Sequence, residues 1–128
     1  MRILLDTQAL ILAGRDQLPK RAAEAFSSRS NEVYFTLVSL WEIGIKAALG
    51  KLKFKRKLTE YYDLLVNDLD LLPLGIEPKH IETAVHLPFH HKDPFDRLII
   101  GQALTEDFVI LSADGHFASY GCKQLWDH

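Results

Sequence analysis

One cysteine, Cys122, is all that 128 residues contain. Its solitude excludes an intramolecular disulfide framework and any zinc site built on several thiolates, and a reducing cytoplasm is the expected home. Nor does any window approach the ~20 consecutive apolar residues of a membrane-spanning helix. Met1 and Arg2 lead straight into the short run Ile3–Leu5, with no apolar segment of the secretory kind. Linkers, internal repeats and low-complexity tracts are missing as well, so residues 1–128 are expected to form one domain. A charge excess of one sign is also lacking, the net charge being −2. With 48% apolar and 25% charged residues, disordered, collagen-like and coiled-coil classes lose their compositional basis.

What is present is an alternation of short apolar runs with helical patterns. Strands are expected at Arg2–Leu5, Val33–Thr36, Leu71–Leu74, Phe108–Leu111 and Lys123–Leu125. Helices are expected over Thr7–Ala13, Pro19–Ser28, Ser39–Leu49, Leu58–Asn67, Pro78–His86 and Pro94–Glu106, with a short one after Asp114. Gly50 reads as a helix stop, and Gly50–Lys57 as the longest irregular stretch. Such alternation predicts an α/β fold whose parallel sheet is covered on both faces.

Acidic residues stand where strand-like runs give way to helix-like ones. Asp6 follows Ile3–Leu5, Glu42 comes soon after Val33–Val38, Asp93 and Asp96 open a helical stretch, and Asp114 follows Phe108–Leu111. Each alone is explained by helix capping. Ser39–Glu42 spells a capping box, Asp93 suits an N-cap before Pro94, and Asp6 and Asp114 suit caps of the helices after them. Capping does not, however, ask for a carboxylate at every junction, since Ser, Thr or Asn would serve about as well. If the strands are parallel, their carboxyl ends share one edge of the sheet, where open α/β folds bind ligands. Carboxylates pooled there repel one another, and a hard divalent cation such as Mg²⁺ or Mn²⁺ keeps them ionised.

Lys46, Lys51, Lys53, Lys55, Arg56 and Lys57 fall in a window without an acid, a pattern suited to backbone phosphates beside a metal site, although a solvated face explains it too. His90, His91, Asp93 and Asp96 offer a rival mixed nitrogen and oxygen site for zinc or manganese, though His90 and His91 fit an exposed loop as well. His116 is ambiguous in the same way. An aspartyl-nucleophile phosphatase of the haloacid dehalogenase type would need an Asp where Gln8 stands, no GxSxG elbow occurs, and Cys122 lacks a recognisable base.

The segments LLDTQAL (Leu4–Leu10), SLWEIGIK (Ser39–Lys46), HKDPFDRLIIGQAL (His91–Leu104) and LSADGHFASYG (Leu111–Gly121), with a final Leu125–Trp126, span essentially the whole chain. In this order they resemble the PIN-domain family, and more narrowly the VapC toxin ribonucleases of VapBC toxin–antitoxin systems. The resemblance implies a PIN-like three-layer α/β/α domain with a central, mainly parallel sheet. It implies metal-dependent endoribonuclease activity with Asp6, Glu42, Asp96 and Asp114 as the catalytic metal-binding acids. Asp6 and Asp96 would be central ligands, with Glu42 and Asp114 completing the cage or orienting water. Asp93 would support them, and Thr7 and Ser112 would orient acids through hydrogen bonds. The basic run and Arg97 would contact RNA phosphates, Arg97 alternatively pairing with the acids. Implied partners are RNA, with transfer RNA a family-level candidate, a cognate antitoxin placing a basic residue in the site, and a second copy of the chain, with Trp41, Ile45 or Phe54 available to an interface. The chain departs from the family pattern at Gln8, where many relatives have His, and in lacking an aromatic around Ile11–Ala13. A non-catalytic PIN-like module that binds RNA or protein is the alternative, and loss of one of the four acids would be its mark.

Overall fold

The structure, a computed structural model, describes residues 1–90 and 93–127. Strands β1 (Arg2–Leu5), β2 (Glu32–Thr36), β3 (Leu72–Leu74), β4 (Val109–Leu111) and β5 (Lys123–Leu125) form one sheet in the order β3-β2-β1-β4-β5. Every pairing is parallel, with Leu4 of the central strand opposite Tyr34 on one side and Ile110 on the other. Helices α1 (Thr7–Gly14), α2 (Lys20–Ser27), α3 (Leu37–Ala48), α4 (Leu58–Asn67), α5 (Pro78–Val85), α6 (Pro94–Glu106) and α7 (His116–Ser119) connect and flank the strands. The expected α/β architecture is therefore present, and every strand and helix anticipated from the sequence falls within two residues of its expected bounds.

Side chains alternate across the sheet, so a strand covered on both faces feeds two cores. Ile3, Leu5, Val33, Phe35 and Leu111 pack with Ala9 and Leu10 of α1, Ala22 of α2, Ile43 of α3, and Tyr61 and Leu65 of α4. Leu4 and Ile110 point the other way, against Val38, against Ile99, Ile100 and Ala103 of α6, and against Phe117 of α7. Burying such a side chain contributes roughly 1.5–3 kcal/mol, enough to fix the register, because a one-residue slip would exchange the two sets.

Two helix boundaries bear on the site. Helix α3 begins at Leu37 because Thr36, the last residue of β2, caps it: its Oγ1 accepts the Val38 amide at 3.1 Å. The expected Ser39–Glu42 capping box is thus corrected, Ser39 and Glu42 both lying inside the helix and buried. Gly50, with φ +73°, ends α3 as expected, its amide donating to the Ala47 carbonyl at 3.1 Å. On the other face α5 packs closely on α6 at Gly101, where a Cβ would sit 2.6 Å from the His80 carbonyl oxygen. Among the described residues no helix is long and apolar enough to cross a membrane.

Candidate metal centre

β1 and β4 are neighbours in the sheet, yet the chain leaves β1 into α1 on one face and β4 towards α7 on the other. This divergence opens a crevice beyond their carboxyl ends. Asp6 occupies it as the N-cap of α1. Its Oδ1 accepts the Ala9 amide at 2.8 Å, and its Oδ2 accepts the Ser112 hydroxyl at 2.5 Å. The residue is only 7% exposed, and burial pushes its carboxyl up to about 6. The Ser112 and Ala9 hydrogen bonds oppose that rise, and the charges of Asp96 and Asp114 add to it. Asp6 is therefore a carboxylate close to losing its charge unless a cation joins it.

Thr7 links this helix to α3. Its hydroxyl donates to Glu42 Oε1 at 2.6 Å and lies 2.9 Å from the Ser39 hydroxyl. A hydroxyl has one hydrogen, so Ser39 donates to Thr7 and Thr7 to Glu42. The other oxygen of Glu42 is 2.6 Å from Lys46 Nζ, one helical turn on. Lys46 is pushed up in turn, chiefly by its hydrogen bond to Glu42, against some desolvation, with the charges of Glu42, Asp93 and Asp96 adding.

Asp93 caps α6 through Oδ1, which accepts the Phe95 and Asp96 amides at 2.9 and 3.2 Å, while Pro94 opens the helix as the sequence suggested. Asp114 Oδ1 accepts the His116 amide at 2.9 Å and lies 2.6 Å from His116 Nδ1. From the edge strand, Gln124 Nε2 donates to the carbonyls of Ser112 and Asp114 at 2.9 and 2.8 Å, bracing the loop that bears both.

These pieces line one cleft of about 340 Å³, bounded by Asp6, Thr7, Gln8, Glu42, Lys46, Asp93, Asp96 and Asp114, with Ile11 and Trp126 at its apolar margin. All four candidate ligands and Asp93 are thus brought together, and Ser112 reaches the cleft through Asp6. One premise of the sequence reading is corrected: α6 follows α5, so Asp93 and Asp96 do not sit after a strand. The strand-to-helix junction after β3 carries Glu77 instead. Of the basic run only Lys46 lines the cleft. Lys53, Lys55 and Arg56 line an adjoining groove of about 250 Å³ with Arg15, Phe54 and Tyr61, and Ile11 borders both; Lys51 and Lys57 are exposed nearby.

Arg97 departs from the phosphate-contact expectation. It is 8% exposed, and its guanidinium donates to the carbonyls of Ala84, Leu87 and Pro88, each at 2.9 Å, at the carboxyl end of α5 and just beyond. Helix ends leave carbonyls without intrahelical donors, and a buried guanidinium supplies several at once. His90 stacks beside Tyr120 at 5.2 Å between ring centroids and does not line the cleft; His91 lies outside the described residues. Phe54 packs on Tyr61 at 5.0 Å, whereas Trp41 is 58% exposed, edge-on to Phe95. Cys122 is buried, its thiol pushed up to about 11, which makes it a poor nucleophile at neutral pH.

Sequence reasoning missed the Lys46–Glu42 pairing, although a Glu and a Lys four residues apart in a helix are its ordinary signal. It missed Gln124, whose only signal was its place on the last strand, and gave Trp126 a part in the family resemblance but none in the cleft. It also passed over a second cluster, in which Glu77, His80 and Glu106 hold ligand atoms within 4.8 Å of one another. There the Glu77 amide donates to His80 Nδ1 at 3.0 Å, so the neutral ring carries its hydrogen on Nε2 and donates to Glu106 Oε2 at 3.2 Å. No nitrogen lone pair remains for a metal, and the cluster reads as a helix cap. The cleft differs: its donors are carboxylate oxygens, suited to Mg²⁺ or Mn²⁺, and its buried Asp6 calls for positive charge.

A family model described as PIN domain matches residues 3–122 of the sequence. Among curated proteins no sequence matches. Among solved structures, the chain is similar to VapBC2 from Rickettsia felis bound to a promoter DNA fragment, at 17% identity, with 99% of this chain and 100% of that one covered and a TM-score of 0.73. VapBC-1 from nontypeable Haemophilus influenzae is similar at 17% identity, 98% and 97% coverage and TM-score 0.70. VapBC-5 from Mycobacterium tuberculosis follows at 14% identity, 98% coverage of each chain and TM-score 0.62. At such identities the likeness is one of fold.

Proposed function

This chain belongs to the PIN-domain family, and from that premise we propose that it is a metal-dependent endoribonuclease, a toxin of the VapC type restrained by a cognate antitoxin. The observation that carries the reading is Asp6: a carboxyl buried at the switch point of a parallel sheet, its pKa raised to about 6, facing further acids across an open cleft. A purely structural cap gains nothing from that crowding.

Asp6, Asp96 and Asp114 would hold Mg²⁺ or Mn²⁺, with Glu42 completing the negative wall and Asp93 supporting Asp96 through the shared helix start. When bound, such an ion supplies the Lewis acidity that makes water a nucleophile at neutral pH. The chain's own contribution is orientation. Ser112 and the Ala9 amide aim Asp6, and Thr7 aims Glu42. The groove carrying Arg15, Lys53, Lys55 and Arg56 continues from the cleft past Ile11 and would take the phosphates of an RNA strand, transfer RNA among the candidates. The similarity in fold to VapBC proteins supports an antitoxin as partner, and exposed Trp41 offers apolar surface for that partner or for a second copy. A cytoplasmic site of action accords with an RNA substrate.

The test is cleavage of pooled single-stranded and transfer RNA by antitoxin-free protein in Mg²⁺, Mn²⁺ or chelator, beside Asp96→Asn. Metal-dependent cutting that disappears in the variant is expected. Folded protein that binds RNA without cutting would replace this reading with the binding module, and cutting that survives Asp96→Asn would remove Asp96 from the centre.

A further inference from the structure

β5 does more than close the sheet. Past Leu111, where β4 ends, its ladder with β5 runs one bond further, from the Ser112 amide to the Leu125 carbonyl at 3.2 Å. The chain then turns away through exposed Ala113 to Asp114. Gln124 pairs with Ile110 in that ladder, and its half-buried side chain extends to the turn. Its Nε2 donates to the Ser112 carbonyl at 2.9 Å and to the Asp114 carbonyl at 2.8 Å. An amide nitrogen carries two hydrogens, and these two acceptors take both.

What the turn carries is a link between two acids of the cleft. Ser112 is 0% exposed, and its hydroxyl is used in both directions: it donates to Asp6 Oδ2 at 2.5 Å and accepts the Asp114 amide at 2.9 Å. Asp6 follows β1 and Asp114 follows β4, so one hydroxyl sets the first acid against the second. That hydroxyl is aimed only as well as the peptide units around it. Leu125 holds the unit before Ser112, and Gln124 holds the units after Ser112 and after Asp114. Strand pairing does not ask for the Gln124 contacts, because the backbone ladder already supplies it.

Resting on the nuclease reading, we propose that Gln124 is a positioning residue of the cleft: it fixes the Ser112–Asp114 turn and, through the Ser112 hydroxyl, the placement of Asp6 relative to Asp114. Residues that orient ligands from behind change metal affinity by about 10–100-fold. Gln124 stands one bond further back than Ser112, so its effect belongs at the low end of that range, about tenfold. The edge strand thereby takes part in the site without lending it a ligand.

Mn²⁺ affinity of RNA-free protein, measured by calorimetry, tests this in a double-mutant cycle of Gln124→Met with Ser112→Ala. Circular dichroism checks the fold, and Lys123→Met, at an exposed neighbour on the same strand, is the control. Gln124→Met, which keeps the apolar stem, should weaken binding about tenfold, and Lys123→Met should leave it unchanged. Because Gln124 acts through Ser112, the double variant should lose clearly less than the product of the two single losses. Unchanged affinity in folded Gln124→Met, losses that multiply in full, or an equal loss in Lys123→Met would overturn the proposal and leave the nuclease reading to its own cleavage assay. Wild type that binds no Mn²⁺ would overturn both. Should Gln124→Met not fold, Gln124→Asn, shorter by a methylene, takes its place in the cycle with the same expected outcomes.

Discussion

Helix α6 joins two acid clusters of opposite character. Its amino end gives Asp93 and Asp96 to the cleft, and ten residues on, roughly 15 Å along the axis, Glu106 meets His80 and Glu77. The second cluster is the tighter of the two, with every ligand atom within 4.8 Å of the others, yet it is complete in itself. Glu77 accepts the His80 amide, His80 returns the favour to the Glu77 amide, and Glu106 takes the remaining ring hydrogen together with Lys79 Nζ at 3.3 Å. Those contacts hold the Glu106 carboxyl below the usual range, His80 contributing most. In the cleft, the described lining residues include five carboxylates and one lysine, and Asp6 is pushed the other way. Compactness therefore does not mark a ligand site. A buried carboxyl whose pKa its surroundings raise does.

Three substitutions sharpen that contrast. The largest effect is expected from Asp6→Asn, which should lower RNA cleavage by roughly a thousandfold or more, the scale seen when a principal electrostatic contributor is lost. The same variant should gain stability in chelator. Burial pushes Asp6 in the folded chain up to about 6, above the ordinary 3.8 of an aspartate, so between those values the folded state binds more protons than the unfolded one. Stability of the metal-free wild type should accordingly fall as pH rises from about 4 to 6 and stay low above, by at most about 3 kcal/mol. Asp6→Asn should lack that decline, and thermal melts at pH 4 and pH 8 would show it. Equal pH dependence in both proteins would mean that Asp6 is not strained by burial.

Next in size is His80→Ala. It removes a side chain with 0% exposure, strands the Glu77 amide and takes the ring donor from Glu106 Oε2, for a loss of about 2–3 kcal/mol in denaturant unfolding. Mn²⁺ binding should not change. A fall in Mn²⁺ stoichiometry would erase the distinction between the clusters. Smallest is Ser112→Ala, which takes one hydrogen bond from Asp6 and one acceptor from the Asp114 amide. Mn²⁺ affinity measured by calorimetry should weaken by about 10–100-fold, the range for residues that orient ligands from behind.

The sequence told most where one residue answers to one neighbour. Runs such as Ile3–Leu5 are apolar throughout because both faces of β1 are covered, and that is visible without coordinates. Asp93 and Pro94 start α6 as their chemistry dictates. What stayed hidden was competition between equals. Thr36 and Ser39 can both cap a helix, and only the sheet decides, by ending at Thr36 and burying Ser39 against Thr7. Glu77 and Glu42 look alike as junction acids, but one caps α5 and the other faces Lys46. Arg97 follows Asp96 in sequence and suggested phosphate contact, whereas the end of α5, distant along the chain, claims its donors.

That claim has a mechanical side. The guanidinium of Arg97 fastens the Ala84–Pro88 stretch to the second turn of α6, and the chain from that stretch leads on to Asp93. Two acids of the cleft are consequently mounted beside a seam that this buried side chain helps to close. Slack introduced there would reach the cleft as a change in stiffness, with every carboxylate still in the sequence.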